Sequence, residues 1–362
     1  MRRGVPEVPG TLTAQQVRAT GEHIASHQLP SGLIPWFDGH HADPWDHVEA
    51  AMALTVCGLQ DEARRAYAWS ASHQGGDGGW PMQILDGRVR DATVDTNQCG
   101  YLAVGVWHHW LSTGDRRFVV EMWPTVRAAV ELVLALQTPS GCIAWALDPA
   151  GVPNPDALLT GSACLVLSLR CALALAEVVG DPQPDVELAV GRLAHAVAVH
   201  PDRFEDKSRY SMDWYYPVLG GALTGSAARR HLQQRWADFV VPGQGIRCVA
   251  DAPWVTVAET CELVLALTGL GDDARARALF RDIQFLRAPD GGYWTGWVWP
   301  DDAVWPEERT TWTGAAVVLA ADALARCTPA HRLFRFDGLP RGLGVSGQDC
   351  HDGCGTLDRE LA

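Results

Sequence analysis

The sequence is poor in positive charge, and it lacks both long apolar runs and paired cysteine motifs. Its 362 residues include a single lysine, Lys207, and 29 basic against 43 acidic residues, which gives a formal net charge of −14. This balance argues against a surface that binds nucleic acid or an anionic membrane. No uninterrupted apolar run approaches the roughly 18 residues of a membrane span, and residues 1–6 precede no apolar signal core. We therefore expect a cytoplasmic protein.

The ten cysteines include no Cys-x-x-Cys pair. Four of them fall within apolar helical patterns: Cys57, Cys164, Cys171 and Cys261. A free thiol in such a position acts as a small core residue. Cys350, His351 and Cys354 cluster in the tail, but their spacing matches no common zinc site. We therefore expect neither a bound metal nor a cofactor.

A repeated loop motif is the clearest internal periodicity of the chain. Glutamine, two residues, serine or aspartate, glycine, one residue, and isoleucine or tryptophan recur at residues 28–34, 74–80 and 137–143. A fourth copy at residues 287–293 has arginine in place of the glutamine and ends in tyrosine. Each copy follows a helical pattern, and its glycine provides the turn that ends the helix. The repeat indicates an architecture built from similar helical units.

Two kinds of helical pattern alternate around these loops. Amphipathic patterns occupy residues 12–28, 61–74, 114–137, 185–200, 226–240 and 271–287. Patterns that are apolar nearly all round, and must be buried on every side, occupy residues 46–58, 95–111, 160–179, 213–223, 256–267 and 310–326. Six of each predict an all-α fold, an (α/α)6 toroid in which six helical hairpins form an outer ring around an inner ring. We expect one barrel domain over residues 1–326 and a partly irregular tail over 327–362, with an irregular bundle or open solenoid as the alternative.

Polar residues and tryptophans concentrate near the starts of the inner helices. If the ring closes, all six N-termini open onto one face, where unpaired N–H groups suit anions and hydroxyl-rich ligands. Acidic N-caps account for some of these residues, and packing of one loop on the next is the alternative for the tryptophans. Aromatic rings beside carboxylates also form a surface that stacks on sugars and bonds their hydroxyl groups. The candidate substrate-binding residues are Trp36, His40, Trp45, Asp91, Asn97, Gln98, Trp214, Tyr215, Trp254, Glu262, Trp294 and Trp312.

Ring geometry restricts which carboxylates can act as a pair. The first and fourth inner helices face each other, as do the second and fifth, and this opposes Asp46 to Asp213 and Asp95 to Glu259. Glycoside hydrolysis uses two carboxyl groups, of which one must stay protonated, and burial between tryptophans promotes protonation. The candidate catalytic residues are Asp95 first, then Glu259, Asp213 and Asp46, with His47 or His40 as alternative general bases.

One stretch of the chain carries a family resemblance. It contains Asp91-Ala92-Thr93, Trp107, Thr113-Gly114-Asp115, Phe118, Trp123-Pro124 and the loop motif at 137–141. This stretch resembles the corresponding passage of six-hairpin glycosidases, especially enzymes of the glucoamylase and debranching type. The resemblance implies carbohydrate chemistry in a pocket at the inner-helix N-termini.

The loop motif carries a second resemblance. Residues 74–80 match Gln-x3-Gly-x-Trp in full, and residues 28–34 and 137–143 match it in part. This pattern is similar to the QW repeat of terpenoid cyclases and protein prenyltransferases. The proton-donating Asp-x-Asp-Asp motif of the cyclases is matched near residues 93–97 only by Asp95. The resemblance would make Asp95 the proton donor to an isoprenoid.

The polarity of the inner-helix starts decides the order of these interpretations. An isoprenoid pocket should be apolar and aromatic apart from its acid, whereas Asn97, Gln98, Thr311 and several histidines occur here. The sequence therefore favours a carbohydrate-active enzyme that acts on a sugar or glycoside, first a hydrolase and next an epimerase or lyase. A terpenoid cyclase or prenyltransferase-like enzyme and a non-catalytic sugar-binding module are the alternatives.

Overall fold

The computed structural model describes residues 4–344. Fourteen α-helices occur within this part of the chain: α1 (Ala14–Ser26), α2 (Pro44–Val56), α3 (Gln60–Ser72), α4 (Thr96–Gly100), α5 (Leu102–Thr113), α6 (Arg116–Ala135), α7 (Leu159–Val179), α8 (Pro184–Val199), α9 (Ser211–Leu219), α10 (Gly225–Gln234), α11 (Trp236–Phe239), α12 (Val257–Gly269), α13 (Asp273–Asp282) and α14 (Thr311–Ala325). Short 3-10 helices lie at Pro201–Arg203, Gln284–Leu286 and Pro329–Arg335.

The apolar helices form a closed inner ring. Each of α2, α5, α7, α9, α12 and α14 contacts the next in this order, and α14 contacts α2. The amphipathic helices α1, α3, α6, α8, α10 and α13 pack outside them, each against inner helices. The order places α2 opposite α9 and α5 opposite α12. The predicted all-α toroid with an outer ring around an inner ring is therefore confirmed.

The fixed spacing of the loop motif has a direct structural role in joining neighbouring outer helices. The Gln28 side chain donates to the carbonyls of Gly32 and Glu62, both at 2.9 Å. Gln74 donates in the same way to Gly78 and Thr125, and Gln137 to Gly141 and Ala189. Each glutamine thus connects its own loop to the backbone of the following outer helix, and holds α1 to α3, α3 to α6 and α6 to α8.

The fourth copy of the motif closes the outer ring. Gly291 lies against the backbone of Ala19 in α1, and the Thr20 hydroxyl donates to the Gly291 carbonyl at 2.8 Å. Gly291 has a φ of +96°, and a Cβ there would lie 2.6 Å from the Ala19 carbonyl. Glycine is therefore required both by the left-handed backbone and by the close approach. This contact joins the last helical hairpin to the first.

Short strands connect the loops on the face where the inner helices begin. They are β1 (Gln83–Leu85), β2 (Arg88–Asp91), β3 (Val94–Asp95), β4 (Ala146–Leu147), β5 (Val240–Val241), β6 (Gly245–Arg247), β7 (Trp254–Thr256), β8 (Gly296–Val298) and β9 (Ala303–Val304). β1 pairs with β2, β3 pairs with β4, and β5 to β9 form an antiparallel sheet in sequence order. The β3–β4 pair joins the loops that precede α4 and α7. The larger sheet joins the loops that precede α12 and α14.

The helix α7 is long and apolar enough to cross a membrane by length and composition alone, with a mean hydropathy of 1.9 in its most apolar window. In the barrel it is an inner helix, and 83% of that window is buried. Its neighbours α5, α8 and α9 cover it on several sides. The apolar character of α7 is therefore that of a core helix.

The segment after α14 covers the barrel at the end opposite the inner-helix N-termini. The 3-10 helix Pro329–Arg335 packs against α5, α12 and α14, and it buries Leu333 and Phe334. The carboxylate of Asp322 fixes the preceding turn by accepting from the Thr328 backbone at 2.8 Å and hydroxyl at 2.6 Å. Cys350, His351 and Cys354 lie outside the described residues, and the division of the chain at residue 326 stays a prediction.

Replacing Phe334 by alanine should lower the free energy of unfolding by about 3–5 kcal/mol, because it removes a buried ring and leaves a cavity below the inner ring. Urea denaturation followed by circular dichroism measures the change. The matched control is Phe285→Ala, since that ring is 52% exposed and its loss should cost less than about 1 kcal/mol. Equal losses in both variants would contradict a sealing role for Phe334.

Candidate active site

The inner helices place side chains in two successive layers below the open face. The second inner helix is counted from the start of α4, which leads directly into α5. The third residue of each inner helix forms the first layer, which we call the mouth layer: Asp46, Gln98, Gly161, Asp213, Glu259 and Thr313. The sixth position forms the second layer, which we call the floor layer: Glu49, Tyr101, Cys164, Tyr216, Glu262 and Ala316. Because residues three apart lie on one face of a helix, each mouth residue stands directly above a floor residue.

Asp46 is a buried carboxyl group whose surroundings favour its protonated form. It is only 8% exposed, and its Oδ2 atom has no hydrogen-bond partner among the described residues. Burial, followed by the negative charge of Asp43, raises the pKa of Asp46 well above its ordinary range. Asp43 caps α2 and accepts from the Trp36 indole at 2.7 Å and from the backbone of Trp45 and Asp46. Burial also raises the pKa of Asp43, but these donors oppose that shift, whereas the charge of Asp43 adds to the effect of burial at Asp46.

Asp95 lies at the rim above the mouth layer. It is the N-cap of α4 and accepts from the backbone of Gln98 at 3.0 Å. Burial raises the pKa of Asp95 to about 6, although the backbone donors of Gln98 and Asn97 oppose the shift. The charge of Asp43 raises it further. Asp95 therefore shares one electrostatic environment with the Asp43 and Asp46 pair.

The other two acids of the mouth layer have different neighbours. Asp213 accepts from the Thr160 hydroxyl at 2.6 Å, and burial raises its pKa. Glu259 is 6% exposed and lies within hydrogen-bonding reach of the Cys248 thiol. The electrostatic partners of Asp46 include Glu262, one turn below Glu259 on α12, but no hydrogen bond joins Asp46 to Asp213 among the described residues. Asp46 therefore interacts electrostatically with one acid of α12, Glu262.

Aromatic and amide side chains surround these acids. The Trp45 ring stacks on Tyr101 with centroids 4.3 Å apart, and meets the edge of Trp312 at 6.2 Å. The Asn97 Oδ1 and Gln98 Oε1 atoms are buried and have no hydrogen-bond partner within residues 4–344. Two rings and two free amide oxygens therefore offer apolar contact and hydrogen-bond acceptors to a ligand.

Three further candidates lie along the rim. Trp36 packs against His40 and His41, with ring centroids 5.4 and 4.6 Å apart, and its indole binds Asp43. Asp91 ends β2, and its pKa is lowered because the carboxylate accepts from the Thr93 backbone at 2.9 Å. Trp36 therefore connects His40 to the acids of the mouth, through its contact with Asp43. Asp91 instead fixes the turn that leads to Asp95.

Two candidates lie between the inner and outer rings instead of at the mouth. His47 engages both ring nitrogens, since Nδ1 accepts from the Ile34 backbone at 3.1 Å and Nε2 bonds the Ala66 carbonyl at 3.0 Å. Burial lowers the pKa of His47 to about 4. The Trp214 indole donates to the Leu232 carbonyl, and its ring stacks on Phe239. His47 and Trp214 therefore serve packing, and neither offers a free polar atom to a ligand.

Trp254 and Trp294 lie in the loops that precede α12 and α14. The Trp254 indole donates to the Trp305 carbonyl at 2.7 Å, and the two rings meet edge to face. Trp294 lines a separate cleft at the outer rim, with the Arg309 guanidinium 5.1 Å from its ring centroid. Both tryptophans are thus on the open face but outside the mouth layer.

The floor layer is a buried network of carboxyl and phenol groups. Glu262 accepts hydrogen bonds from Tyr215 and from Tyr216, the latter at 2.6 Å, and Glu49 accepts from Tyr101 at 3.2 Å. Burial raises the pKa of Glu262 to about 8, despite the tyrosine donors, and raises that of Glu49 well above its ordinary range. Between them lies a cavity of about 10 Å³, which is the space of a single water molecule. Glu262 and Tyr215 are therefore part of the support beneath the mouth acids.

Asp43 and Glu49 were not among the candidate catalytic or substrate-binding residues of the sequence. The signal for Glu49 is its spacing, because Asp46 and Glu49 repeat the three-residue separation of Glu259 and Glu262 in another apolar helix. Within residues 4–344, no group of three histidine, cysteine, aspartate or glutamate side chains is arranged to hold a metal ion.

Solved structures of glycosidases share the barrel of six inner and six outer helices. The chain superposes on a glycosidase in complex with glucose with a TM-score of 0.68 at 17% identity, covering 86% of this chain and 96% of that one. It superposes on the GH63 mannosylglycerate hydrolase of Thermus thermophilus with a TM-score of 0.64 at 13% identity, covering 84% and 99%. A D-mannose isomerase matches with a TM-score of 0.64 at 11% identity, covering 88% and 100%.

Sequence similarity identifies the family. The chain is 58% identical over 355 residues to the MMP endo-(1,4)-3-O-methyl-alpha-D-mannosidase of Mycolicibacterium hassiacum, covering 98% of both chains. It belongs to the family of that enzyme. No family model matches the sequence. The protein is therefore a glycoside hydrolase that acts on a sugar, as the sequence predicted first, and neither the isoprenoid alternative nor the non-catalytic module is favoured.

Replacing Glu262 by glutamine should flatten the dependence of stability on pH. The folded protein holds a proton on Glu262 up to about pH 8, whereas the unfolded chain releases it near the ordinary pKa of 4.5. The folded state therefore binds one more proton in this window, and stability falls with rising pH by up to about 1.4 kcal/mol per unit. Urea unfolding at several pH values between 5 and 8 measures the slope.

Glu131→Gln is the control for this measurement, because the Glu131 side chain is 62% exposed and should leave the slope as it is. Identical slopes for the unaltered protein and Glu262→Gln would show that Glu262 is ionised in the fold.

Proposed function

We propose that this protein is an endo-acting hydrolase of α-(1,4)-linked chains that contain 3-O-methyl-mannose. The observation that carries the proposal is the 58% identity to the endo-(1,4)-3-O-methyl-alpha-D-mannosidase over 98% of both chains. The compared region covers 98% of this chain, so it includes nearly all of the inner helices. The site chemistry described above fits glycosidic bond cleavage by two carboxyl groups.

Asp46 acts as the general acid in this proposal. Burial and the charge on Asp43 raise the pKa of its carboxyl group, which favours the protonated form, and its buried Oδ2 atom has no hydrogen-bond partner among the described residues. As the bond between that oxygen and the anomeric carbon breaks, the proton moves from Asp46 to the departing hydroxyl group. Asp43, held by the Trp36 indole and two backbone donors, fixes the position of Asp46 throughout.

Glu259 supplies the second carboxylate. It occupies the same layer as Asp46, one turn above Glu262, which interacts with Asp46, and the Cys248 thiol orients it. In this position it assists the attack of water on the anomeric carbon. Asp213 is bonded to Thr160 and completes the polar wall of the mouth. Asp95, fixed by the α4 N-terminus, binds a hydroxyl group of the sugar.

The aromatic residues of the mouth suit a methylated sugar. A 3-O-methyl group replaces a hydroxyl donor with an apolar methyl, which gains from contact with an indole face and loses nothing through an unpaired donor. Trp45, stacked on Tyr101, and the adjoining edge of Trp312 form such an apolar wall beside Asp46.

We also propose that the reaction takes place in the cytoplasm. The eight cysteines of the described residues form no disulfide with one another, and six of them are buried. A compartment that keeps thiols reduced suits a chain of this composition.

Asp46→Asn and Glu259→Gln should each lower kcat by about 10²–10⁴-fold, because each removes a proton-transferring or nucleophile-directing carboxyl group. Product release from a defined oligosaccharide of α-(1,4)-linked 3-O-methyl-mannose measures kcat, and calorimetry on the same variants should show that the oligosaccharide still binds. Asp213→Asn is the matched control from the same layer and should cost much less. A reversed order, with Asp213→Asn inactive and Glu259→Gln active, would assign the second carboxylate to Asp213.

Asp95→Asn separates binding from catalysis at the rim. Asparagine is as good an N-cap as aspartate, so the helix start is retained while the charge is lost. We expect KM to rise more than kcat falls. A loss of kcat as large as that of Asp46→Asn, with KM unchanged, would instead make Asp95 the proton donor.

The substrate is tested with paired oligosaccharides that differ only in the 3-O-methyl groups. Chains labelled at the reducing end should be cut internally from the first turnovers, and kcat/KM should favour the methylated chain by about tenfold or more. Mass spectrometry of the labelled products gives the cleavage positions. Preference for the unmethylated chain, or stepwise release of single sugars from one end, would contradict the proposal.

A further inference from the structure

A second cleft opens at the rim of the same face, outside the mouth layer. It lies between the C-terminal half of α1 and the loops that precede α14, and its volume is about 670 Å³. The lining residues that matter most are Trp294, Phe37, Asp38, His27 and Arg309. This volume lies within the range of small-molecule binding sites, and none of the residues that we assign to bond cleavage lies in the cleft.

A narrow ridge separates the cleft from the mouth. The Thr311 backbone donates to the Trp36 carbonyl at 2.7 Å, and the Thr311 hydroxyl donates to the Pro35 carbonyl at 2.8 Å. Asp38 follows Trp36 by two residues and Arg309 precedes Trp312 by three. The backbone of each of these two cleft residues therefore lies at most about 11 Å from that of a tryptophan at the mouth. A ligand chain longer than the mouth can cross the ridge and enter the cleft.

The lining chemistry fits a neutral polyhydroxyl ligand. Trp294 provides an aromatic surface beside the Arg309 guanidinium, which also pairs with Asp290 at 2.5 Å. His27 bonds the Asp38 carboxylate at 2.8 Å, and the Asp38 side chain is 80% exposed. Aromatic faces with carboxylate and guanidinium groups at their edges bind sugars by stacking and by hydrogen bonds. A metal ion is disfavoured, because no three ligating side chains of the described residues converge.

We propose that this cleft is a distal subsite, which binds the part of the oligosaccharide that lies beyond the scissile bond and favours long chains. The proposal rests on the proposed function for the identity of the sugar. An endo-acting enzyme must hold substrate on both sides of the cleavage point, and Trp294 lines a cleft at the rim of the same face as the mouth layer. Binding energy gained there positions the chain over Asp46 without touching the reacting atoms.

The experiment compares a tetrasaccharide with a decasaccharide of α-(1,4)-linked 3-O-methyl-mannose. In an Asp46→Asn background, calorimetry measures Kd for both lengths, and kcat/KM is measured in the active enzyme. Trp294→Ala should weaken decasaccharide binding by about tenfold, the worth of one aromatic stacking contact, and the tetrasaccharide far less. Asp38→Asn should act in the same direction. The ratio of kcat/KM between long and short chains should fall in parallel.

Trp110→Ala is the matched control, because Trp110 is a half-buried tryptophan near the opposite end of the barrel. It should change neither ratio. Equal losses for both lengths, or no loss for the long chain, would overturn the distal subsite while leaving the proposed function intact. If the unaltered protein binds and cleaves neither oligosaccharide, the proposed function fails, and the sugar subsite fails with it.

Discussion

Closure of the inner ring brings six helix N-termini to one face, and this constraint places the acids of the proposed active site together. The third position of each helix then faces the mouth and the sixth faces the space beneath it, so acids three residues apart are stacked in two layers. Asp46 and Glu259 lie above Glu49 and Glu262. The glutamines of the loop motif and the contact of Gly291 with α1 hold the outer ring closed around this arrangement.

Burial and helix polarity act on these acids in opposite directions. An acid in the first turn is stabilised in its charged form by the helix N-terminus, whereas removal from water favours the protonated form. Burial raises the pKa of Asp43, and the three hydrogen bonds that Asp43 accepts oppose this shift, whereas at Asp46 the charge of Asp43 adds to the effect of burial. Burial also raises the pKa of Glu49 and Glu262, the tyrosine-bound acids of the floor layer.

The fold was predictable because its periodicities are strong. The alternation of apolar and amphipathic helices, and the spacing of the loop motif, determine a two-ring toroid without reference to any single contact. The site was predictable in part, since Asp46, Asp95, Asp213 and Glu259 all occur at helix starts. The direction in which each side chain points was not predictable, because the rotation of a helix about its own axis depends on how the helix packs. His47 is next to Asp46 in the chain yet bonds the backbone of Ile34 and Ala66 between the rings.

The most direct test of the account is a crystal structure of the Asp46→Asn variant with an α-(1,4)-linked 3-O-methyl-mannose oligosaccharide. We expect a glycosidic oxygen of the bound oligosaccharide within hydrogen-bonding distance of residue 46, with the Glu259 carboxylate beside the anomeric carbon of the same bond. An oligosaccharide bound elsewhere on the surface, with the mouth layer unoccupied, would contradict the assignment of this layer as the catalytic centre.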